Sequence, residues 1–310
     1  MRIAVFGAGG VGALFGGRLA QAGEDVTFIA RGANLQALRT RGLRVASIEG
    51  DFWLPNVQAT DDPTQVGPVD VVLLGVKAGQ VAAVAPQLRP RLGPETLVLP
   101  LQNGVEAPDQ LAEVLGWAHV LGGYCRVIVQ QTAPGEFRHS GLTSTVAFGR
   151  LHETTHGPLA ELRAAFRRAD VRVEEPADLR LAMWEKFLFV APFGVVGAAA
   201  RRPLHQLLAV PETSALLRAC LQEMMAVAQA CGVALTADAI ARVWQLYEQT
   251  LAGGTASMQR DLMAGRPSEL DAQTGAIVRL GRIHAVPTPA HEVLYAVLLP
   301  QELAAWQATG

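Results

Sequence analysis

Cysteine is scarce in this chain: three residues among 310, none of them in a CxxC pair. So few give no disulfide framework, and a reducing compartment fits. Cys220 and Cys231 fall on one expected helix, about 16 Å apart along its axis and far beyond disulfide reach. Charge is thin as well. Charged residues make up 17% of the chain and the formal net charge is −2. There is no basic stripe to attract nucleic acid and no charge block of the kind that keeps a tail disordered. Long apolar runs are also missing. The longest, Phe187 to Ala200, contains Pro192, Gly194 and Gly197 and falls short of the roughly 20 residues of a bilayer span. The chain opens directly on a strand-like run, so no signal peptide is expected. These absences leave a soluble cytoplasmic protein as the expectation, without membrane or nucleic-acid partners. Its 310 residues, half of them hydrophobic, suffice for two domains with a core each.

The opening run, Arg2-Ile3-Ala4-Val5-Phe6, passes straight into Gly7-Ala8-Gly9-Gly10-Val11-Gly12. The Gly-x-Gly-x-x-Gly spacing has a physical reason. Gly7 allows a tight turn, Gly9 lets backbone approach a pyrophosphate, and Gly12 lets the following helix sit close to the strand. The N-terminus of that helix then turns free N–H groups and a partial positive charge toward the phosphates. An acid is missing at the end of the next apolar run, Val26-Thr27-Phe28-Ile29-Ala30, where it would hold a ribose 2′-hydroxyl. Arg31 stands there instead. A guanidinium favours a 2′-phosphate, so the pattern points to NADPH.

Strands and helices alternate through the first half. Val69 to Gly75 reads as a buried strand, followed by a helix from about Gly79 to Leu88. Thr96 to Leu101 is another strand, followed by a helix near Glu106 to Leu115. Near-continuous Val/Leu runs between helices predict a parallel sheet covered on both faces. From about His119 to Gly149 the pattern changes to strands and turns, expected to form an antiparallel edge or extension of that sheet. A helix around Pro158 to Arg168 and a short strand near Val171 to Val173 close the domain. Glu174-Glu175-Pro176 is the boundary, giving a first domain of residues 1–175 and a second of 176–310. In the second, strand signals almost vanish and strong helix formers dominate. Helices are expected near Asp178 to Ala200, Ala215 to Leu221, Thr236 to Leu251, Ser268 to His284 and Pro289 to Trp306. The fold class is a doubly wound α/β sheet followed by an all-α domain.

His152-Glu153-Thr154-Thr155-His156 matches the zinc signature H-E-x-x-H. That chemistry needs a helix that turns both imidazoles to one metal, plus a third ligand. Here the five residues lie between a strand and Gly157-Pro158, with two β-branched threonines and no apolar face. A solvated loop is expected, and no metal site.

Other residues carry more. Lys77 follows the third strand and Asn103-Gly104 the fourth, so both emerge at the carboxyl edge of a parallel sheet, where ligands bind. Taken singly, Lys77 reads equally well as a loop charge and Asn103-Gly104 as a turn. Lys186 sits in Met183-Trp184-Glu185-Lys186-Phe187-Leu188-Phe189-Val190-Ala191, a helix otherwise packed with large apolar groups. Pairing with adjacent Glu185 is poor, because neighbouring residues on a helix do not face each other. Partial desolvation disfavours the ammonium form, which makes such a lysine a better proton donor and suits a general acid for ketone reduction.

Taken together, these stretches resemble the ketopantoate reductases (2-dehydropantoate 2-reductases) over nearly the whole chain. The likeness is carried by Gly7 to Gly12, Arg31, Val76-Lys77-Ala78, Asn103-Gly104, Trp184-Glu185-Lys186-Phe187, Ser257-Met258-Gln259-Arg260-Asp261 and Glu269-Leu270-Asp271. The resemblance implies a Rossmann-type domain joined to a helical one, with NADPH and a 2-oxo acid between them, and a place in pantothenate biosynthesis. By residue, it implies that Gly7, Ala8, Gly9, Gly10, Val11, Gly12, Arg31, Lys77 and Asn103 hold the cofactor. Lys186 would protonate the keto oxygen as the nicotinamide delivers hydride. Glu269 would contact the substrate hydroxyl and set the lysine's position and charge. Ser257 would bind the substrate carboxylate, with Asp261 in support and Asn103 beside nicotinamide and substrate. The expected assembly is a monomer or homodimer.

The chain departs from the family at two places. Asparagines tend to follow the lysine at one and two helical turns; here those places hold Val190 and Gly194. The substrate wall loses two amides. Ketopantoate stays the first expected substrate, with a paralogue acting on a more apolar 2-oxo or hydroxy acid as the alternative. A non-catalytic NADPH-binding regulator is a third reading, which Lys186 and Glu269 argue against.

Overall fold

The computed structural model describes residues 1–308. The chain folds as two units, Met1–Gln102 with Ala107–Leu179, and Asn103–Glu106 with the residues from Arg180 onward. The four residues 103–106 therefore group with the helices, although they follow a strand of the first unit.

The first unit contains strands β1 (Arg2–Phe6), β2 (Asp25–Ile29), β3 (Leu43–Ser47), β4 (Phe52–Leu54), β5 (Gln58–Thr60), β6 (Val69–Leu74), β7 (Leu92–Pro100), β8 (Leu121–Ala133), β9 (Glu136–Arg150) and β10 (Arg172–Glu174). Its helices are α1 (Gly10–Gln21), α2 (Gly32–Arg41), α3 (Val81–Leu88), α4 (Ala107–Leu115) and α5 (Leu159–Arg168). Five strands form a parallel sheet in the order β5-β2-β1-β6-β7. The apolar runs of β1 and β6 are buried along almost their whole length, which is why they read as continuous rather than alternating. After β1 the chain builds outward through β2, and it returns to the other side of β1 as β6. The switch point lies between β1 and β6, the place where open α/β sheets bind ligands. Gly7 to Gly12 fills that position.

The strands from Leu121 to Arg150 do not extend this sheet, contrary to the sequence expectation. β8 and β9 form a long antiparallel hairpin, and β9 pairs in parallel with β3 and with β10 while β3 pairs with β4. One parallel bridge, Val98 to Val120, ties this second sheet to the first. The physical cause is β9's length: its two halves offer their free edge to two different short strands. H-E-x-x-H forms a turn, with His152 stacked on Trp117 and buried Thr155 donating to the Trp117 carbonyl at 2.7 Å.

The second unit is built from α6 (Leu179–Ala200), α7 (Leu204–Ala209), α8 (Pro211–Ala230), α9 (Ala239–Gln249), α10 (Ser257–Met263), a π-helical turn at Asp271–Gly275, α11 (Ala276–Ile283) and α12 (Pro289–Gln307). α6 is its axis. Phe187, Leu188, Val195 and Val196 pack with Leu217 and Met224 of α8, Tyr247 of α9 and Leu294 of α12. As expected from the sequence, this segment is one helix, and α6 runs unbroken through Pro192. Proline removes one helical N–H, and burial of the side chains on both sides outweighs that loss. With 22 residues α6 also exceeds the apolar stretch within it and is, among the described residues, the one helix long and apolar enough to cross a membrane; 67% of its most apolar window is buried inside the protein.

Candidate active site

The glycine motif shows which of its members the protein's own atoms require. Gly7 has φ +94°, and a Cβ there would lie 2.7 Å from the Val76 nitrogen. At Gly12 a Cβ would lie 2.1 Å from the Gly7 carbonyl, so α1 could not seat on β1 with any larger residue. Gly9 is different: within 4.0 Å its Cβ would meet only the Gly75 carbonyl. Nothing in the protein demands glycine at Gly9, and the open space suits the close approach of a pyrophosphate to backbone N–H groups. Ala8 is buried, Val11 is partly buried against the core, and Gly10 lies under Val129 of β8. Arg31 is exposed at the start of α2, directly beyond β2. Lys77 opens a short 3-10 turn beyond β6. The residues present therefore fit a dinucleotide.

Two side chains that the sequence reading passed over shape this region. Asn34 of α2 donates to the Ala8 carbonyl at 2.7 Å and accepts from the Gly135 N–H at 2.8 Å, locking the glycine loop to α2 and to the β8–β9 turn. Buried Gln102 donates to the carbonyls of Leu74 and Val76 at 2.7 and 2.9 Å, closing the end of β6 next to Lys77. A polar residue directly after a buried apolar run was the signal for Gln102. Asn34 had none, because an asparagine early in a helix is common.

In the second unit three expected residues form one hydrogen-bonded line. Lys186 Nζ donates to Asn103 Oδ1 at 2.8 Å, and Asn103 Nδ2 donates to Glu269 Oε2 at 3.0 Å. The same carboxylate oxygen accepts from Gln273 Nε2 at 3.2 Å. A carboxylate only accepts, so Glu269 fixes the amide with its NH2 inward and its oxygen toward the lysine. Trp184, Phe187 and Leu188 are buried around a half-buried Lys186. Glu185 pairs instead with Arg242 at 2.9 Å, as the geometry of adjacent helix residues requires.

The remaining candidates lie along α6 and α10. Ser257 opens α10 and is half-buried. Its neighbours Ala256 and Met258 cover Gly194, where a Cβ would meet Met258 Cε at 3.1 Å and Ala256 Cβ at 3.2 Å. The space at Gly194, where the family tends to carry an amide, is thus filled by Met258 of α10 and by Ala256 just before it. Val190 is half-buried, one turn beyond Lys186. Asp261, near the end of α10, accepts from Arg266 at 2.9 and 3.1 Å.

Comparison with known proteins identifies the family and the fold. Residues 3–153 match the family described as Ketopantoate reductase PanE/ApbA, and residues 178–302 match its C-terminal counterpart. The crystal structure of a PanE/ApbA family ketopantoate reductase from Ralstonia eutropha JMP134 superposes with a TM-score of 0.89 at 34% identity, over 99% of this chain and 100% of that one. The 2-dehydropantoate 2-reductase of Geobacter metallireducens GS-15 gives a TM-score of 0.89 at 31% identity, over 97% and 99% of the two chains. The 2-dehydropantoate 2-reductase of Halobacterium salinarum is 30% identical over 95% of this chain and 96% of its own length.

Proposed function

This chain belongs to the ketopantoate reductase family and is an oxidoreductase of the 2-dehydropantoate 2-reductase type, and from that premise we propose that it reduces 2-dehydropantoate to pantoate with NADPH. The line Lys186–Asn103–Glu269 carries the reading. Bound NADPH would supply the hydride that reaches the keto carbon. The chain's own residues supply the proton and the positioning. Lys186 would release a proton from Nζ to the keto oxygen as that oxygen gains charge, and take one back from solvent after product leaves. Asn103 Oδ1 aims the ammonium, and Glu269 keeps the amide in that orientation and would accept from a substrate hydroxyl. Ser257 would donate to the substrate carboxylate. A pure sensor of NADPH has no use for a lysine held in this way.

Arg31 supports NADPH over NADH: it is exposed where a 2′-phosphate would be bound, and no acid stands there to hold a 2′-hydroxyl. The soluble, cytoplasmic setting expected from composition is part of the same proposal.

A second reading, a more apolar 2-oxo acid, is favoured by one feature. Val190 offers no hydrogen bond, and the place of a second amide is taken by Met258 and Ala256. Loss of NADPH absorbance with a panel of 2-oxo acids tests both. Turnover of ketopantoate well above all others supports the first reading, preference for an apolar side chain the second, and no turnover with any 2-oxo acid refutes both.

A further inference from the structure

We propose that Arg279 is a positioning residue that clamps the segment carrying Asn103 onto the turn carrying Glu269, and so sets the hydrogen-bonded line to Lys186. This rests on the proposed roles of those three residues. Residues 101–106 form neither helix nor strand, so side chains must hold Asn103 in place. Two anchors do so. Val105 is buried in the apolar core of the helical unit, and Glu106 meets Arg279 of α11 through both carboxylate oxygens, Nη2 to Oε2 at 2.7 Å and Nε to Oε1 at 3.4 Å. The other side of the same guanidinium grips the π-helical turn. Its Nη1 donates to Asp271 Oδ1 at 2.8 Å and its Nη2 to the Asp271 carbonyl at 3.1 Å, while Tyr295 of α12 donates to the same Oδ1 at 2.7 Å. Asp271 lies two residues beyond Glu269.

Two glycines are shaped to this clamp. A Cβ on Gly275 would come 2.7 Å from Asp271 Oδ1 and 3.1 Å from Arg279 Nη1, so the guanidinium lies across a position where a side chain would displace it. Gly104, with φ +107°, has its missing Cβ 2.8 Å from the Ala272 carbonyl, so the segment lies flush on the π-helical turn. A planar fork can hold Glu106 and Asp271 together; a lysine, a single point of charge, cannot. The clamp fixes the distance between Asn103 and Glu269 without touching substrate.

Hydrogen exchange of the peptide covering residues 101–107 tests the clamp without any need for turnover. Arg279→Lys should speed exchange there by about tenfold or more, as expected when a local anchor is lost, while the α8 core stays protected. Glu106→Gln, which keeps size and removes charge, should do the same and serves if the arginine variant folds poorly. Unchanged exchange in a folded variant overturns the proposal. Kinetically, Arg279→Lys should lower kcat roughly tenfold, as expected for misplaced catalytic groups, with the KM for NADPH little changed. In an Asn103→Ala background it should cost almost nothing more, because coupled residues are not additive. An equal loss in both backgrounds overturns a role through Asn103. Absence of turnover in the wild type would refute the reductase reading, while the exchange result would still decide the clamp.

Discussion

Of the 26 basic residues in this chain, 24 are arginine and two, Lys77 and Lys186, are lysine. Arginine serves wherever a fixed positive charge is enough, but it cannot give up a proton in a protein. A lysine at Lys186, half-buried beside large apolar side chains in a chain that otherwise favours arginine, fits the proposed proton donor. Lys186→Ala should lower kcat by about 10²–10⁴, the usual contribution of a positioned acid, and Lys186→Arg should not rescue it. Binding of NADPH, followed by fluorescence, should hardly change in either; near-wild-type turnover by a folded Lys186→Ala protein would remove the proton-donor role. Arg31 makes a complementary prediction. Arg31→Ala should weaken NADPH by about 1.5–3 kcal/mol, the scale of a charged hydrogen bond, and leave NADH almost untouched. Equal losses for both would make Arg31 structural. Lys186, Arg31 and the glycines were legible in the sequence because each breaks a local pattern. Arg279 and Glu106 were not, since an arginine and a glutamate 173 positions apart look like ordinary surface charges until the fold joins them.

Elements were legible where burial made uniform apolar runs, as in β1, β6 and α6, or left a helical spacing, as in α12. β3 was missed because it alternates buried and exposed residues, unlike the equally short β1, and β4 and β5 because three mixed residues each make no apolar run. The π-helical turn at Asp271–Gly275 was hidden inside what reads as one helix from Ser268. Its wider winding brings Asp271 and Arg279 together across Gly275, and periodicity at 3.6 residues cannot report it. The proposed substrate wall runs along α6. Val190→Asn restores an amide one turn beyond Lys186 and should shift kcat/KM toward ketopantoate, relative to apolar 2-oxo acids, by about tenfold, near the value of one hydrogen bond. Gly194→Asn should instead destabilise the protein, because Met258 and Ala256 already occupy the space its side chain needs. A strong wild-type preference for ketopantoate, unaltered by Val190→Asn, would show that this face of α6 does not read the substrate hydroxyl.

At the scale of the whole molecule, the two-part organisation was legible from the switch between alternating strands and helices and a run of helices alone. What composition could not show is how the helical unit is held together by buried charge. Glu223 of α8 is mostly buried and caps α12: it accepts from the backbone N–H of Ala290 at 2.7 Å and of His291 at 3.1 Å, and from His291 Nδ1 at 2.7 Å. α12 in turn holds the residues around Glu269, with Glu302 accepting from the Ser268 N–H and hydroxyl and Tyr295 donating to Asp271. Burial alone would push the Glu223 carboxyl up, but the His291 ring and the two N–H donors outweigh it and hold its pKa below the ordinary value. The consequence for stability has a definite sign. A carboxyl whose pKa is lower folded than unfolded stabilises the native state above the unfolded value of about 4.3, and that contribution drains away as pH falls through the folded value. Glu223→Gln keeps the shape and an accepting oxygen but removes the charge. It should therefore cost about 1–2 kcal/mol at pH 7, the value of a charged hydrogen bond at a helix N-terminus. Urea unfolding of both proteins as pH is lowered checks this: the deficit should shrink steadily below about pH 4, where the wild-type carboxyl takes up its own proton. A deficit that is constant across that range would mean the variant fails through packing, and that the charge on Glu223 contributes nothing to anchoring α12.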